Sequence, residues 1–378
     1  MPSVVIIGGG VIGASIACHL ASRGVHDVVV LERANELGAG STRLATGGFR
    51  AQFGTAVNIA LSLLSRQKLL RFEDEIGVDS GYRPYGYLFL ARGEQAMHQL
   101  RLANELQHAC GLTEARLIDA NEARLINPVI EDDAIVGGTF CPTDGFIQAM
   151  KILNGYAAAA QRGGVRFDLG VTVRGLRIEG DRVVALDTSR GDVHGDVFVN
   201  AAGAWASTLG IDLPVAPLRR QVAATVETDV LPESMPMTVW ADDSFHLRVR
   251  DRRVLLLWPD APPAGFDITF DGAAWLPRVL DFAHARVPRL RDVAIDPAAC
   301  WAGLYEMSPD HHAILGRAPA MANLFLANGS SGHGVMHAPA IGQVIAELIV
   351  DGRTSIDITP LRPSRFAEGL AIEASTLL

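Results

Sequence analysis

Val4-Val5-Ile6-Ile7-Gly8-Gly9-Gly10-Val11-Ile12-Gly13, followed by Val28-Val29-Val30-Leu31-Glu32, decides the fold of this 378-residue chain. Both apolar runs are unbroken and mostly β-branched, the pattern of strands buried on both faces of a parallel sheet. Between them lies a helical stretch ending at Arg23, with Gly24 to close it. The three motif glycines have separate tasks. Gly8 permits a tight turn, Gly10 lets backbone approach a pyrophosphate, and Gly13 lets helix and strand pack closely. The helix start, with Val11 and Ile12, offers N–H groups and partial positive charge to phosphates. Glu32, about 20 residues on, is placed to accept hydrogen bonds from ribose hydroxyls, with Arg33 beside it. This order of strand, turn, helix, strand and acid predicts a bound ADP-containing dinucleotide. By itself it leaves NAD, NADP and FAD open.

Composition narrows the class. Hydrophobic residues make up 49% and charged residues 20%, as in ordinary globular proteins. A net charge of −9 argues against a nucleic-acid or anionic-membrane surface. No segment reaches the ~18 unbroken apolar residues of a membrane span. The apolar start lacks a basic leader region and runs straight into the motif, so it reads as fold and not as a signal peptide. Cys18, Cys110, Cys141 and Cys300 are far apart, which fits reduced thiols in a cytoplasm and no metal site. Lys68 and Lys151 are the only lysines.

Working outward, small residues recur where a flat ligand would need close backbone: Gly38 to Thr42, including Ser41, and Thr46-Gly47-Gly48-Phe49-Arg50. A helix is expected from about Thr55 to Glu75, burying Ile59, Leu63, Leu64, Leu69, Leu70 and Phe72. Further helices are expected at about 94–110, 119–126, 146–161, 275–286 and 338–349, and strands at Tyr85–Leu90, Val165–Phe167 and Leu324–Asn328. Residues 171–199, including Val173 and the run Val193–Val199, alternate like a small meander. Asn200-Ala201-Ala202-Gly203-Ala204-Trp205 reads as a second strand-to-glycine turn at the cofactor. From Pro217 to about 300 strands dominate, at Gln221–Val226, Phe245–Val249 and Val254–Trp258, which suits a sheet over the substrate.

Three further segments carry a family likeness. Thr46-Gly47-Gly48-Phe49-Arg50-Ala51-Gln52-Phe53-Gly54, Gly303-Leu304-Tyr305-Glu306-Met307-Ser308-Pro309-Asp310 and Ser331-Gly332-His333-Gly334 resemble the D-amino-acid oxidase-like flavoprotein superfamily. Within it the chain looks most like sarcosine oxidase, its β subunit and the β subunit of FAD-type L-proline dehydrogenases. The resemblance implies FAD and an α/β plus α+β fold. A Rossmann-type FAD-binding domain (1–80, 140–216 and 300–378) would interleave with a substrate domain on a mostly antiparallel sheet (81–139 and 217–299). It implies oxidation of a C–N bond in a small amino acid or N-alkyl amino acid. Oxidation of a 2-hydroxy acid is the alternative, as is a catalytic subunit of a hetero-oligomer that passes electrons from flavin to oxygen or a redox partner.

The resemblance also assigns residues. Arg50 matches an arginine that pairs with the substrate carboxylate, a role suited to bidentate guanidinium. Tyr305 matches an active-site tyrosine. His333, between glycines, is expected beside the flavin and not as a general base. Gly332, Gly334, Val335 and Met336 belong to the same turn, where N–H groups can face the flavin edge that gains negative charge. His246 and Arg248 alternate on one strand, so both are candidates for the cavity wall.

Departures from the family pattern sharpen this. Gly303 stands where monomeric sarcosine oxidases link FAD to a cysteine, and Gly40-Ser41-Thr42-Arg43 lacks the histidine that other relatives use. Non-covalent FAD is therefore expected. Thr143 stands where an FMN-linking histidine is expected, and Met336 replaces a carboxylate-binding lysine. No lysine follows Lys151 to promote reaction with oxygen, which points towards a dehydrogenase.

Overall fold

The computed structural model describes residues 2–373. Two large sheets organise it. The first has six strands in the order Ile314–Arg317, Leu324–Asn328, Val197–Asn200, Val4–Ile7, Val28–Glu32, Arg166–Leu169. All its pairings are parallel except the antiparallel edge strand Ile314–Arg317. The pleat divides the strand side chains between two cores. Val4, Ile6, Val28 and Val30 pack with the helices Val11–Ser22, Ala149–Arg162 and Gly334–Val350. Val5, Ile7, Val29 and Leu31 face the opposite side, against a three-stranded meander of Val173–Glu179, Arg182–Thr188 and Gly191–His194. Both faces are covered, so the strands are apolar throughout. The first and last helices touch closely: a Cβ on Gly342 would lie 2.0 Å from Ser15 Oγ.

The second sheet has eight strands, in the order Trp301–Met307, Ala216–Ala224, Arg253–Leu257, His246–Arg250, Met237–Trp240, Tyr87–Ala91, Gly137–Cys141, Arg116–Asp119. It is antiparallel except where Met237–Trp240 runs beside Tyr87–Ala91. The helix Trp275–Arg286 covers a core of Trp240, Phe245, Leu247 and Leu256 on one side. Past residue 300 the chain divides between the sheets: Trp301–Met307 joins the second, and Ile314–Arg317 and Leu324–Asn328 return to the first.

Several expectations are corrected. The helix expected at 55–75 breaks at Arg71 into Ala56–Leu70 and Phe72–Ile76, and Leu70 faces solvent. The helix expected at 146 starts at Ala149, because Gly145–Phe146 pairs with Gly48–Phe49. Val197–Asn200 is not part of the meander; it is a central parallel strand beside Val4–Ile7. The last long helix begins at Gly334, four residues early. Met237–Trp240 and Ile314–Arg317 are strands that the pattern did not reveal. No helix among the described residues is long and apolar enough to cross a membrane.

Candidate active site

A cavity of about 700 Å³ opens at the carboxyl ends of Val4–Ile7 and Val28–Glu32 and runs to the strand Trp301–Met307. Ligands of open α/β sheets bind at this edge. The turn at its mouth is tightly determined. Gly8 has φ +110°, and a Cβ there would stand 2.4 Å from Ala201 O. A Cβ on Gly13 would stand 2.0 Å from Gly8 O. A Cβ on Gly10 would meet nothing closer than Thr42 Oγ1 at 3.4 Å, so the protein itself leaves that ground open. Thr42 Oγ1 accepts from the Val11 N–H, the first of the helix. Glu32 accepts from the N–H groups of Gly9 and Ala34, both at 2.8 Å, with lone pairs remaining for hydroxyl donors. The Arg33 guanidinium lies 3.5 Å over the Trp205 ring. Ser41 Oγ donates to Leu304 O, tying the first glycine loop to the second sheet.

Arg50, Tyr305, His333 and His246 all line the far part of the cavity. Arg50 is 2% exposed; its guanidinium donates to Gln52 O at 2.5 Å and lies 3.9 Å over the Phe53 ring. Its Nη2 is 3.3 Å from His333 Nε2. Arginine carries only donors, so His333 Nε2 accepts, and that engagement removes it from general-base duty. Asp144 shapes the turn after Arg50, accepting from the N–H groups of Ala51 and Gln52 and from Gln52 Nε2. Burial lifts its carboxyl to about 6 against these donors. Tyr305 leans on the glycine turn: a Cβ on Gly332 would fall 2.3 Å from its ring. Burial raises the Tyr305 phenol. His246 Nδ1 donates to Ser244 O at 2.8 Å, leaving Nε2 as the acceptor. Burial, with the Arg50 and Arg220 charges, pushes the His246 ring down to about 4, so it is neutral at pH 7.

The other expected cofactor residues on the wall are Gly47, Gly48, Val173, Ala202, Gly203, Gly303, Gly334, Val335 and Met336. Two expected residues are elsewhere. Gly13 lies beneath the turn as a packing glycine. Arg248 is 6% exposed, donates to Thr46 O and Val249 O, and rests 3.6 Å over Phe146. It braces the glycine loop from behind and is not among the lining residues. Sequence reasoning missed Tyr87, Arg220, Trp258 and Glu306, which do line the cavity. Glu306 accepts from the Ser330 N–H, and burial lifts its carboxyl to about 7. Its signal was present as the neighbour of Tyr305, but strict alternation assigns neighbours to opposite faces.

Fold and cavity together define a dinucleotide-dependent oxidoreductase architecture. Residues 3–348 match the family described as FAD dependent oxidoreductase, and the chain belongs to that family. Sarcosine dehydrogenase, mitochondrial, from Mus musculus is 28% identical over 387 residues, covering 97% of this chain and 42% of that protein. Dimethylglycine dehydrogenase, mitochondrial, from Rattus norvegicus is 30% identical over 395 residues, covering 96% and 45%. The chain thus spans less than half the length of these curated relatives. The structure of L-proline dehydrogenase from P. horikoshii superposes with a TM-score of 0.90 at 28% identity, covering 97% of this chain and 98% of that one. Glycine oxidase from Geobacillus kaustophilus gives 0.84 at 25% identity, covering 96% and 98%.

The residues present fit FAD. The cavity's lining reaches from the glycine turn, the helix start and Glu32, which an ADP half needs, to the strand Trp301–Met307, and Gly10 and Gly203 leave room beside the backbone. No cysteine lines it. Cys300 instead lies against Asp296 O and Ala224.

Proposed function

We propose that this chain oxidises the C–N bond of a small amino acid or N-alkyl amino acid, with non-covalently held FAD. The carrying observation is the cluster of Arg50, His333, Tyr305 and His246 on one cavity wall. Bound FAD supplies the hydride acceptor. Arg50 holds the substrate carboxylate; Phe53, Gln52 O and His333 fix the guanidinium so that little side-chain freedom is lost on binding. His246, neutral and with Nε2 as acceptor, receives an N–H of the amine and orients it. The cationic neighbours Arg50 and Arg220 oppose retention of the amine proton. Positioning provides much of the acceleration, and no strong side-chain base is needed. The imine product is hydrolysed by water. The names of the relatives, which include sarcosine, dimethylglycine and proline dehydrogenases, support the same substrate class.

Electrons leave through a second protein in this reading. Neither lysine lines the cavity and His246 is uncharged at neutral pH, so none of these three takes the part of the lysine that promotes oxygen reaction in the resembling oxidases. The test is anaerobic mixing of the FAD-loaded chain with sarcosine, proline, glycine, D-amino acids and 2-hydroxy acids. Amines should bleach the flavin absorbance. Bleaching by 2-hydroxy acids alone replaces the reading with alcohol oxidation. Arg50→Ala should weaken apparent substrate affinity by roughly 10- to 100-fold, the loss of a charge-assisted contact. Reduced chain should reoxidise slowly in air and quickly with a dye; fast aerobic turnover would remove the partner.

A further inference from the structure

The turn that carries Arg50 hangs on one carboxylate. Asp144 is 0% exposed. Its Oδ1 accepts from the Ala51 N–H at 2.8 Å, and its Oδ2 from the Gln52 N–H at 3.4 Å and the Gln52 side-chain amide at 3.3 Å. The backbone oxygen of Gln52 in turn accepts from the Arg50 guanidinium. Asp144 is itself fixed through its main chain: its N–H donates to Cys141 O, and its carbonyl accepts from the Gly86 N–H. Carboxylate and guanidinium are therefore joined through Gln52 in one hydrogen-bonded assembly.

Among the described residues, every hydrogen bond to the Asp144 carboxylate comes from an uncharged donor. The titratable neighbours are neutral: burial holds the Tyr82 and Tyr87 phenols and the Cys141 thiol protonated. Arg66, beyond Thr143, is paired with Glu114 at 3.1 Å. Arg50 is the cation that favours an ionised Asp144, against burial, and Asp144 favours the charge of Arg50 in return. With the Asp144 carboxyl at about 6, the two stand as a cation and an anion at neutral pH.

A substrate carboxylate on Arg50 brings a second anion to the same cation. Two carboxylates on one buried guanidinium leave a net negative charge in a low-dielectric interior, and a carboxyl so placed gains a proton when the like charge arrives. The proton comes from solvent and returns there when the product carboxylate leaves. Resting on the reading that Arg50 holds the substrate carboxylate, we infer that Asp144 is a proton-linked positioning residue: the substrate carboxylate and a proton enter together, the first on Arg50 and the second on Asp144. Glu306, the other lifted carboxyl of the cavity, is the competitor for that proton.

The FAD-loaded chain is titrated with methylthioacetate, a non-reactive monocarboxylate, from pH 5.5 to 8.5 and followed by the flavin spectrum. Wild type should bind it roughly 5-fold more tightly at pH 6 than at pH 8. Asp144→Asn, neutral and of the same shape, should bind it equally across this range and at pH 8 at least as tightly as wild type. A merely structural role would weaken binding at every pH and leave the slope. Calorimetry of wild type at pH 7 in two buffers of different ionisation enthalpy should show net proton uptake on binding, and Asp144→Asn should show none. FAD content per chain reports whether each variant folds; if Asp144→Asn holds no FAD, calorimetry of wild type and of Glu306→Gln decides. Wild-type binding without pH dependence or proton uptake, or a slope that survives in Asp144→Asn, overturns the inference. Uptake lost in Glu306→Gln assigns the proton to Glu306 and overturns it too. If Arg50→Ala leaves methylthioacetate affinity unchanged, the carboxylate role of Arg50 falls and takes this inference with it; if affinity drops but no proton is linked, this inference alone falls.

Discussion

Gly8, Gly10 and Gly13 look equivalent in a motif and differ physically. Gly8 combines φ +110° with a backbone oxygen 2.4 Å from any Cβ, and Gly13 would place its Cβ 2.0 Å from Gly8 O. Neither obstacle can move without the turn moving. Gly10 has φ −79° and 3.4 Å of clearance to a side-chain oxygen. Alanine there is compatible with the fold and removes freedom from the unfolded chain, a gain of about 0.4–1 kcal/mol. We therefore expect Gly10→Ala to purify folded, with apo-protein stability equal to or above wild type, and to lose most of its FAD. Gly8→Ala should lose stability even without cofactor. Denaturant unfolding of the apo-proteins, together with FAD content, separates the two; equal loss of apo stability in both would refute the distinction. The tight turn at Gly8 was readable because few neighbours decide it. Arg248 was misread because alternation gives a face and not what covers that face. Arg220 was unreadable because its place depends on register with Gly303, 83 positions away.

At the scale of elements, the strand Trp301–Met307 is held from behind by a lock that joins it to the C-terminal segment. Beyond its end, Asp310 accepts both guanidinium arms of Arg365 at 2.7 and 2.9 Å, and the pair is 0% and 2% exposed in side chain. Asp310 also accepts from the N–H groups of His312 and Ile372. Burial pushes the carboxyl up, but Arg365 and these donors outweigh it and hold Asp310 below its usual range. Arg365 further donates to Leu361, Arg362 and His312 carbonyls. Removing one member of such a buried pair strands the other, at a cost of about 3–5 kcal/mol. Arg365→Ala should therefore lower unfolding free energy by that amount in urea, while Arg362→Ala, whose ion pair with Glu368 is exposed, should cost under about 1 kcal/mol. Similar losses in the two variants would show that the lock carries no special weight. Helices and strands with long periodic patterns, such as Glu94–Ala109 and Leu324–Asn328, were legible. Met237–Trp240 was not: four residues after Pro236 give no period to count. Val197–Asn200 was assigned to the meander because it follows Gly191–His194 closely, whereas its tertiary partner is Val4–Ile7.

Across the whole molecule, burial sets acid stability through two opposed sets of groups. His19, His246 and His337 are pushed down to about 3, 4 and 3, in each case chiefly by burial. Between pH 4.5 and 6 each takes a proton in the unfolded chain and stays neutral in the folded one, so stability falls as pH falls. Asp144 and Glu306, lifted to about 6 and 7, do the reverse: in this window the folded state holds the proton and stability rises as pH falls. Carboxylates held by arginine, such as Asp310, titrate below the window. Burial lowers His312 as well, so the histidines outnumber the lifted carboxyls and stability increases with pH, each neutral-held histidine contributing up to about 1.4 kcal/mol per pH unit. None of this was legible in the sequence, where a histidine carries no mark of its burial. His337 tests it most cleanly: it is 2% exposed, bonds to Ser62 Oγ at 2.9 Å, and lies off the cavity wall. Glutamine can keep the bond to Ser62 and cannot titrate. His337→Gln should lower the slope between pH 4.5 and 6 by about one proton, ~1.4 kcal/mol per pH unit, read from urea unfolding at four or five pH values. An unchanged slope would show that His337 titrates alike in folded and unfolded chains, contrary to its burial beside Phe53 and Arg50.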